Sequence, residues 1–200
     1  MIFPQVNAVA ICEAAHRLGV RRYLDGARLF NSAVATEHTL EELSAPFDLV
    51  SVALSKGLGC PAGSLIAGRK EDIVRAKRVR RMFGGAMRQV GILAAAGLYA
   101  LEHNMSRLND DHANARIMAE RLVQVKGVML DMRTVMTNIV VFRLAEDAPD
   151  AATVVARAKA KGVLVAAFAA RKMRLAAHLN VNRKQCERAA DILVEVIQHG

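Results

Sequence analysis

The chain has little aromatic character: none of its 200 residues is Trp, and Phe and Tyr together make up 4%. Hydrophobic residues nevertheless make up 53% of the sequence, and the mean hydropathy is +0.19. A core can therefore form from Ala, Val, Leu, Ile and Met. The length fits one large domain or slightly more than one.

Cysteine is also scarce. The three cysteines, Cys12, Cys60 and Cys186, lie far apart, and their spacing matches no metal-binding motif. Free thiols of this kind are typical of a reducing compartment. The apolar runs are too short to span a bilayer, and the first ten residues lack the basic segment of a signal peptide. We therefore expect a cytoplasmic protein with no metal and no membrane partner.

Positive charge is abundant, with a net charge of +9. Much of the excess lies in residues 69–82, "RKEDIVRAKRVRRM". The apolar residues of this segment recur at helical spacing, which predicts a helix with one buried stripe and a solvated basic face; they are Ile73, Val74, Ala76 and Val79. No aromatic side chain interleaves with the cations, so nucleic-acid bases would have no stacking platform. A nucleic-acid module is therefore the weakest alternative, and we expect no such partner.

Helical and strand patterns alternate in the first part of the chain. Pro4–Leu18 predicts a helix that Gly19 ends, and the strand "VRRYLD" follows at once. The run "FDLVSVAL" predicts a strand that is covered on both faces. Further helices are predicted over Glu71–Met82, Met87–His103 and Ser106–Val125. A helix that leads directly into a strand is the second half of a βαβ unit, so we expect the chain to begin inside a domain.

After Gly127 the pattern changes to strands ("TNIVVFRL", "VLVAAF", "KMRLAAHL") around the helix "DAATVVARAKAKG". A final helix, "NRKQCERAADILVEVIQ", has Asn182 as its predicted N-cap. The expected organisation is an α/β portion over residues 1–126 and a smaller α+β domain over residues 127–200.

Chemically active side chains follow several predicted strands. They are Asp25 and Arg28 in "YLDGARLF", Lys56 in "LSKGLG", and Arg174 in "KMRLAAHL". Ligands of α/β sheets bind past the carboxyl ends of strands, so these residues are candidates for a binding site.

Lys56 stands between an apolar run and a glycine-rich turn. Burial would lower the pKa of its ammonium group and favour the neutral amine, which is the nucleophile that forms a Schiff base with a carbonyl compound. Gly57 and Gly59 would let a bulky cofactor approach the backbone. The alternative, a solvated lysine with no role, stays open for "SKG" alone.

Asp25 favours a functional interpretation of Lys56. Pyridoxal phosphate is an aldehyde cofactor that works as an electron sink, and its pyridinium nitrogen needs a carboxylate partner. One strand–helix–strand passage between Asp25 and Lys56 would bring both to the same sheet edge. Arg28 could donate to the ring oxygen. The alternative is that Asp25 is only a turn residue of an Asp-Gly pair.

Six segments together resemble, in order, those of the low-specificity L-threonine aldolases, which are fold-type I pyridoxal phosphate enzymes of the β-eliminating lyase group. They are "YLDGARLFNSAVA", "SVALSKGLGCPAGSLIAG", "RRMFGGAMRQVGILAAAGLYAL", "LNDDHANARIMAERL", "TNIVVF" and "MRLAAHLNV". The resemblance implies an aminotransferase-like fold, with residues 1–126 as the carboxyl-terminal part of the cofactor-binding large domain and residues 127–200 as the small α+β domain. It also implies cleavage of β-hydroxy-α-amino acids to glycine and an aldehyde.

The resemblance also implies roles for individual residues. Lys56 is similar to the catalytic lysine that carries pyridoxal phosphate, Asp25 to the partner of its ring nitrogen, and Arg28 to a further cofactor contact. Arg174 is similar to the arginine that binds the substrate carboxylate. Arg88 is implied to bind the cofactor and Arg81 the substrate, although Arg81 could instead belong to the basic helix face. His178 matches a supporting position near Arg174, whereas His16, His38 and His199 carry no distinctive pattern.

Members of this family form dimers or tetramers with sites between subunits, so the resemblance implies a homo-oligomer that acts on a small amino acid. It further implies an N-terminal truncation, since the family's phosphate-binding loop and its ring-stacking histidine precede the position where this sequence starts. Smaller departures are Cys60, Ala177 and Asn180. Two alternatives stay open: a non-catalytic fragment or pseudoenzyme of the family, and another fold-type I lyase or aminotransferase. The segments "DGARLF" and "GGAMRQ" argue against the latter.

Overall fold

The computed structural model describes residues 1–198, and His199 lies outside this range. The chain forms two compact units. The first extends from Phe3 to Arg107, and the second begins at Leu108 and includes Met1 and Ile2. The sequence pattern predicts a boundary after residue 126. The second compact unit begins at Leu108 because the helix that starts there packs on later elements of the chain.

The first unit contains a small mixed sheet and several helices. Its strands are β1 (Tyr23–Asp25), β2 (Leu49–Ala53) and β3 (Ser64–Gly68), and its helices are α1 (Gln5–Arg17), α2 (Leu29–Thr36), α3 (Leu40–Ser44), α4 (Lys70–Met82) and α5 (Gly91–His103). The sheet order is β1-β2-β3, with β1 parallel and β3 antiparallel to β2. Gly19 ends α1 as predicted, because its φ of +67° is a left-handed conformation that glycine adopts without strain.

One buried cluster of the first unit lies on one face of the sheet, where α2 and α3 pack. It consists of Leu29, Ala33, Leu43 and Val50, with Leu24, Leu40, Phe47 and Val52 around them. The prediction that β2 is covered on both faces is wrong for the described residues, because Val50 is buried whereas its neighbours in β2 are only half-buried. The opposite face carries Tyr23, which is 57% exposed.

The apolar stripe predicted on α4 is also not buried. Val74 is 62% exposed and Val79 is 47% exposed, while Ile73 and Ala76 are half-buried. The helix itself is correctly predicted, and acidic side chains in its first turn and arginines in its last suit the helix dipole. The helical spacing thus identified the apolar stripe of α4, but no other part of the described chain buries it.

The second unit contains an antiparallel sheet of order β4-β5-β7-β6. Its elements are α6 (Leu108–Leu122), β4 (Val128–Met129), a short 3-10 helix (Met132–Thr134), β5 (Ile139–Leu144), α7 (Ala151–Ala160), β6 (Ala166–Ala169), β7 (Lys172–Ala176) and α8 (Arg183–Gln198). The order agrees with the prediction, except that β4 and the 3-10 helix were not foreseen. Asn182 caps α8 as predicted, since its side-chain oxygen accepts a hydrogen bond from the backbone N–H of Gln185 at 3.0 Å.

The core of the second unit lies between the inner face of the sheet and the helices α6, α7 and α8. Alternate residues of β5 and β7 point into it, as a strand period of two requires. Its most deeply buried side chains include Leu122, Val140, Phe142, Leu144, Val154, Met173 and Leu193. None of the helices within residues 1–198 is long and apolar enough to cross a lipid bilayer.

Candidate active site

Asp25 and Lys56 lie at the same edge of the first unit's sheet. Asp25 is the last residue of β1, and Lys56 follows shortly after β2 ends at Ala53. The two strands are parallel neighbours, with Asp25 opposite Ser51. The carboxyl ends of parallel strands share one edge, so the placement that the sequence predicted for this carboxylate and this amine is found.

The loop that carries Lys56 is a compact turn between β2 and β3. The backbone N–H of Leu54 donates to the Gly63 carbonyl at 3.0 Å, and that of Cys60 donates to the Leu54 carbonyl at 3.1 Å. A further bond, from Gly59 N–H to the Lys56 carbonyl, measures 3.0 Å. Gly59 and Gly63 have φ values of +74° and +116°, which side chains other than glycine rarely adopt. The glycines of this segment therefore shape the turn.

Helix α5 supports the loop from one side. Asn104, the residue after α5, donates its side-chain amide to the Leu58 carbonyl at 2.8 Å. The Cys60 thiol donates to the Ala96 carbonyl at 3.5 Å. A Cβ on Gly97 of α5 would lie 3.2 Å from Leu54 Cδ1, so the loop is tied to α5 by both polar and apolar contacts.

The Lys56 side chain itself is exposed. The burial that would lower the pKa of an ammonium group is thus not found at Lys56. The reason is local: Leu54 and Leu58 turn inward and become buried, while Ser55 and Lys56 between them face solvent. The hydrophobic run thus ends before the lysine.

The turn after β1 is tightly packed against β2. The N–H of Gly26 donates to the Ser51 carbonyl at 2.8 Å, and a Cβ on Gly26 would lie only 2.8 Å from that oxygen. Asp25 is exposed and its Oδ1 accepts a hydrogen bond from the Ala27 N–H at 3.2 Å. Arg28 is half-buried and directly precedes α2. The Asp-Gly turn therefore has a structural role as well as presenting the carboxylate.

A polar pair that was not predicted from the sequence lies beside Asp25. The hydroxyl groups of Tyr23 and Ser51 are 2.7 Å apart, a hydrogen-bonding distance. Because residues two apart on a strand share a face, Tyr23 and Asp25 lie on one side of the sheet with Ser51. The signal was present in the alternation of "YLD" and "LVSVA", but it became informative only with the pairing of the two strands known.

Arg81 and Arg88 lie in and beyond the last turn of α4. Both are exposed, and Gly84 N–H donates to the Arg81 carbonyl at 3.1 Å in the turn that follows the helix. Arg81 lies on an open surface of α4 beside Lys77, Arg78 and Arg80. Both guanidinium groups are thus accessible to an anion.

Arg174 belongs to the second unit, on β7. It is exposed, and its guanidinium carbon lies 5.8 Å from the centre of the Phe168 ring. Arg174 and His178 both line a cavity of about 350 Å³ whose other lining residues are mostly apolar. The Nδ1 atom of His178 accepts a hydrogen bond from the Asn180 N–H at 3.3 Å, which fixes the ring beside the cavity.

The same cavity is lined by the thiol-bearing Cys186. Burial raises the pKa of this thiol, and the charges of Asp111 and Glu187 raise it further. All three cysteines are free and buried. Within residues 1–198, no group of His, Cys, Asp and Glu side chains has the arrangement of a metal site.

Comparison with known proteins identifies the family. The profile of the beta-eliminating lyases matches residues 1–146. The low specificity L-threonine aldolase of Escherichia coli O157:H7 is 45% identical over 168 residues, which are 84% of this chain and 48% of that protein. The low-specificity L-threonine aldolase 1 of Arabidopsis thaliana is 46% identical over 128 residues, or 64% of this chain and 36% of that protein. The chain thus spans about half the length, or less, of these relatives.

Solved structures share the fold. A putative L-allo-threonine aldolase from Listeria monocytogenes superimposes with a TM-score of 0.80 at 20% identity, over 98% of this chain and 57% of that one. An alpha-aminoadipate aminotransferase from Thermus thermophilus gives 0.72 at 15% identity, over 98% and 55%. The predicted fold class, that of the fold-type I pyridoxal phosphate enzymes, is therefore confirmed. Together with the profile match over most of the sequence, these likenesses show that the chain belongs to the beta-eliminating lyase family.

Proposed function

We propose that this chain serves a pyridoxal phosphate-dependent lyase that cleaves β-hydroxy-α-amino acids of the threonine and allo-threonine type to glycine and an aldehyde. One observation carries the proposal. In a member of the beta-eliminating lyase family, Asp25 and Lys56 follow adjacent parallel strands and reach one sheet edge. The names of the relatives, which are threonine aldolases, support this choice of reaction.

The residues at this edge fit pyridoxal phosphate. Lys56 offers an exposed primary amine and Asp25 an exposed carboxylate. Gly26 lets the turn after β1 pack closely against the Ser51 carbonyl and Leu29, which holds Asp25 at this edge. Lys56 would hold the cofactor through Nζ, and Asp25 would hold its ring nitrogen. Arg28 and Arg88 would make further contacts with the ring oxygen and the phosphate.

When bound, the cofactor supplies an electron sink for the pair left on the substrate Cα as the Cα–Cβ bond breaks. The Asp25 carboxylate would favour the protonated ring nitrogen, which preserves that capacity. The Lys56 amine would hold or release a proton at Nζ beside the substrate. Arg174 would bind the substrate carboxylate with two parallel hydrogen bonds, and Arg81 would attract the anionic end of the substrate.

The proposal includes assembly of identical subunits into a dimer or tetramer in the cytoplasm. Support for assembly comes from apolar side chains that face solvent in the segment joining α4 and α5 and at the start of α5. Phe83 is 85% exposed and Ile92 is 75% exposed, and such patches are typical of interaction surfaces. Support for the cytoplasm comes from the free thiols.

Covalent labelling tests the assignment of Lys56. The full chain is incubated with pyridoxal phosphate, reduced with borohydride, and mapped by peptide mass spectrometry, with production of acetaldehyde from L-threonine measured in parallel. We expect the phosphopyridoxyl group on Lys56, and its loss in Lys56→Ala. Lys126→Ala is the matched control, because the Lys126 side chain is 92% exposed and has no assigned role.

Two results would contradict the proposal. Labels spread over surface lysines and unchanged in Lys56→Ala would show that Lys56 is not the anchor. A chain labelled at Lys56 that releases no acetaldehyde from L-threonine or L-allo-threonine would show that the chain does not perform the reaction by itself.

A further inference from the structure

Three cations share one face of the second unit's sheet. Arg143 on β5 is directly opposite Lys172 on β7, and Arg174 follows two residues after Lys172. Cross-strand partners and residues two apart point to the same side of a sheet. This face is the one turned away from the core, since the alternate residues Phe142 and Met173 are buried. We call these three residues the cationic triad.

Acidic side chains that flank β4 and β5 are already paired with cations outside the triad; Asp147 lies 4.0 Å from Lys126. Asp131, which follows β4, pairs with Arg133 at 2.8 Å. Glu146, which follows β5, pairs with Arg171 at 3.0 Å. In the part of the chain that the structure describes, no member of the cationic triad forms an ion pair. The positive charge on this face is therefore uncompensated.

The aromatic ring of Phe168 lies close to two of the cations. Lys172 Nζ lies 5.4 Å from the centre of the Phe168 ring, and Arg174 Cζ lies 5.8 Å from it. Both distances are within the range of a cation–π contact. The pairing of β6 with β7 shifts between Ala167 and Ala169, which leaves Phe168 as the extra residue of a bulge. Bulges of this kind re-aim a side chain.

The pairing of Arg143 with Lys172 is unfavourable for the stability of the sheet. Like charges directly opposite each other on paired strands are destabilising, and Arg143 and Lys172 stand in that relationship. A local violation of this type is expected where function requires it. An anion that binds between the cations would remove the repulsion.

We propose that the cationic triad binds a small molecule with two carboxylate groups, one held by Arg174 and the other by Arg143 and Lys172. Residues opposite or diagonal to each other on paired strands are about 5 to 8 Å apart, so long side chains can reach both ends of a short dicarboxylate. Val141, opposite Arg174 and half-buried, offers an apolar surface for the carbon chain between them.

This inference specifies a substrate class, and that part of it depends on the proposed function. If Arg174 holds the α-carboxylate of the amino acid, then Arg143 and Lys172 select a β-hydroxy-α-amino acid whose side chain ends in a second acidic group. Neither the methyl group of threonine nor an aromatic side chain would use these two cations.

Titration of the full chain without cofactor tests the site, so a failure of Lys56 labelling cannot affect the result. Succinate and propionate are titrated by calorimetry at constant ionic strength. Hydrogen bonds to charged groups are strong, so we expect succinate to bind at least about tenfold more tightly. Arg143→Gln and Lys172→Gln should each lower the affinity for succinate to nearly the affinity for propionate. The control Lys126→Gln should change neither affinity.

Equal affinity of the parent chain for the two acids would overturn the proposal, as would a preference for succinate that survives both substitutions. Urea unfolding gives a second measurement that does not depend on ligand binding. Arg143→Gln removes the repulsion, so its unfolding midpoint should equal or exceed that of the parent chain. A lower midpoint would show that Arg143 has a structural role and would also count against the site.

Discussion

Arg22 and Asp48 form a two-pronged ion pair at the amino ends of β1 and β2. Arg22 Nε and Nη2 donate to the two carboxylate oxygens at 2.9 and 2.7 Å, and the backbone N–H of Arg22 donates to Oδ2 at 2.8 Å. The pair lies at the opposite end of the strands from Asp25 and Lys56. It therefore fixes the parallel alignment on which the candidate site depends.

The ion pair predicts a defined acid dependence of stability. Hydrogen bonds from the Arg22 side chain and backbone hold the pKa of Asp48 well below its usual range. A depressed carboxyl pKa contributes stability that is present above the unfolded-state value of about 3.9 and is lost as the pH falls through the folded-state value. We expect Asp48→Asn to lower the urea midpoint at pH 7 and to lose this deficit progressively below about pH 4.

The control for that experiment is Asp147→Asn. Asp147 is 64% exposed and its ion pair with Lys126 spans 4.0 Å, so little effect is expected at any pH. A deficit of Asp48→Asn that stays constant down to pH 2 would contradict the role of the charge.

Gly26 provides a steric test of the site edge. In Gly26→Ala the new Cβ would meet the Ser51 carbonyl at 2.8 Å and Leu29 Cβ at 3.2 Å. Overpacking of this kind costs about 1–3 kcal/mol of the free energy of unfolding, measured by urea denaturation. Gly91→Ala is the matched control, because nothing lies within 4 Å of its added Cβ and alanine favours a helix. A Gly26→Ala chain as stable as the parent would mean that the β1–β2 edge can open.

Asn182 tests the start of α8. Its side chain accepts from the Gln185 N–H at 3.0 Å, and the Gln185 side chain accepts from the Asn182 N–H at 2.9 Å. Removal of such a cap in Asn182→Ala should cost about 1 kcal/mol in unfolding free energy. Asn180→Ala, at an exposed position outside the helix, should be nearly neutral. Equal losses in the two variants would argue against a specific capping effect.

Leu193 tests the core of the second unit. It is fully buried in α8, so Leu193→Ala should lower the unfolding free energy by about 2–5 kcal/mol through lost burial and a cavity. Leu164→Ala, at a side chain that is 81% exposed, should stay within about 0.5 kcal/mol of the parent. Comparable effects at both positions would contradict the burial of this face of α8.

The sequence predicted what depends on local patterns. The period of α8 and its cap at Asn182 are local properties, and both are confirmed. The placement of Asp25 and Lys56 at the carboxyl ends of two adjacent strands followed from a general rule about parallel strands, and the parallel pairing of β1 and β2 is found. The role of each residue in binding and catalysis stays a prediction, because no ligand contact is involved in these observations.

What the sequence did not predict depends on neighbours distant in the chain. The sequence predicted the helix α6, but not that it packs on α8 and β5. The same dependence on distant neighbours explains α4. Its apolar stripe could be recognised from the sequence, but the exposure of that stripe could not be predicted. The cationic triad can be recognised only when the register of β5 against β7 is known, and neither strand's own sequence contains that information.

The ties between α5 and the Lys56 loop have a thermodynamic consequence. A free loop of this length would lose conformational entropy when a ligand attached to its lysine, and that loss would weaken binding. Here Leu58 and Cys60 are already held by Asn104 and the Ala96 carbonyl. Folding has therefore removed most of the loop's freedom beforehand, and attachment at Lys56 needs to order little more than the lysine side chain itself.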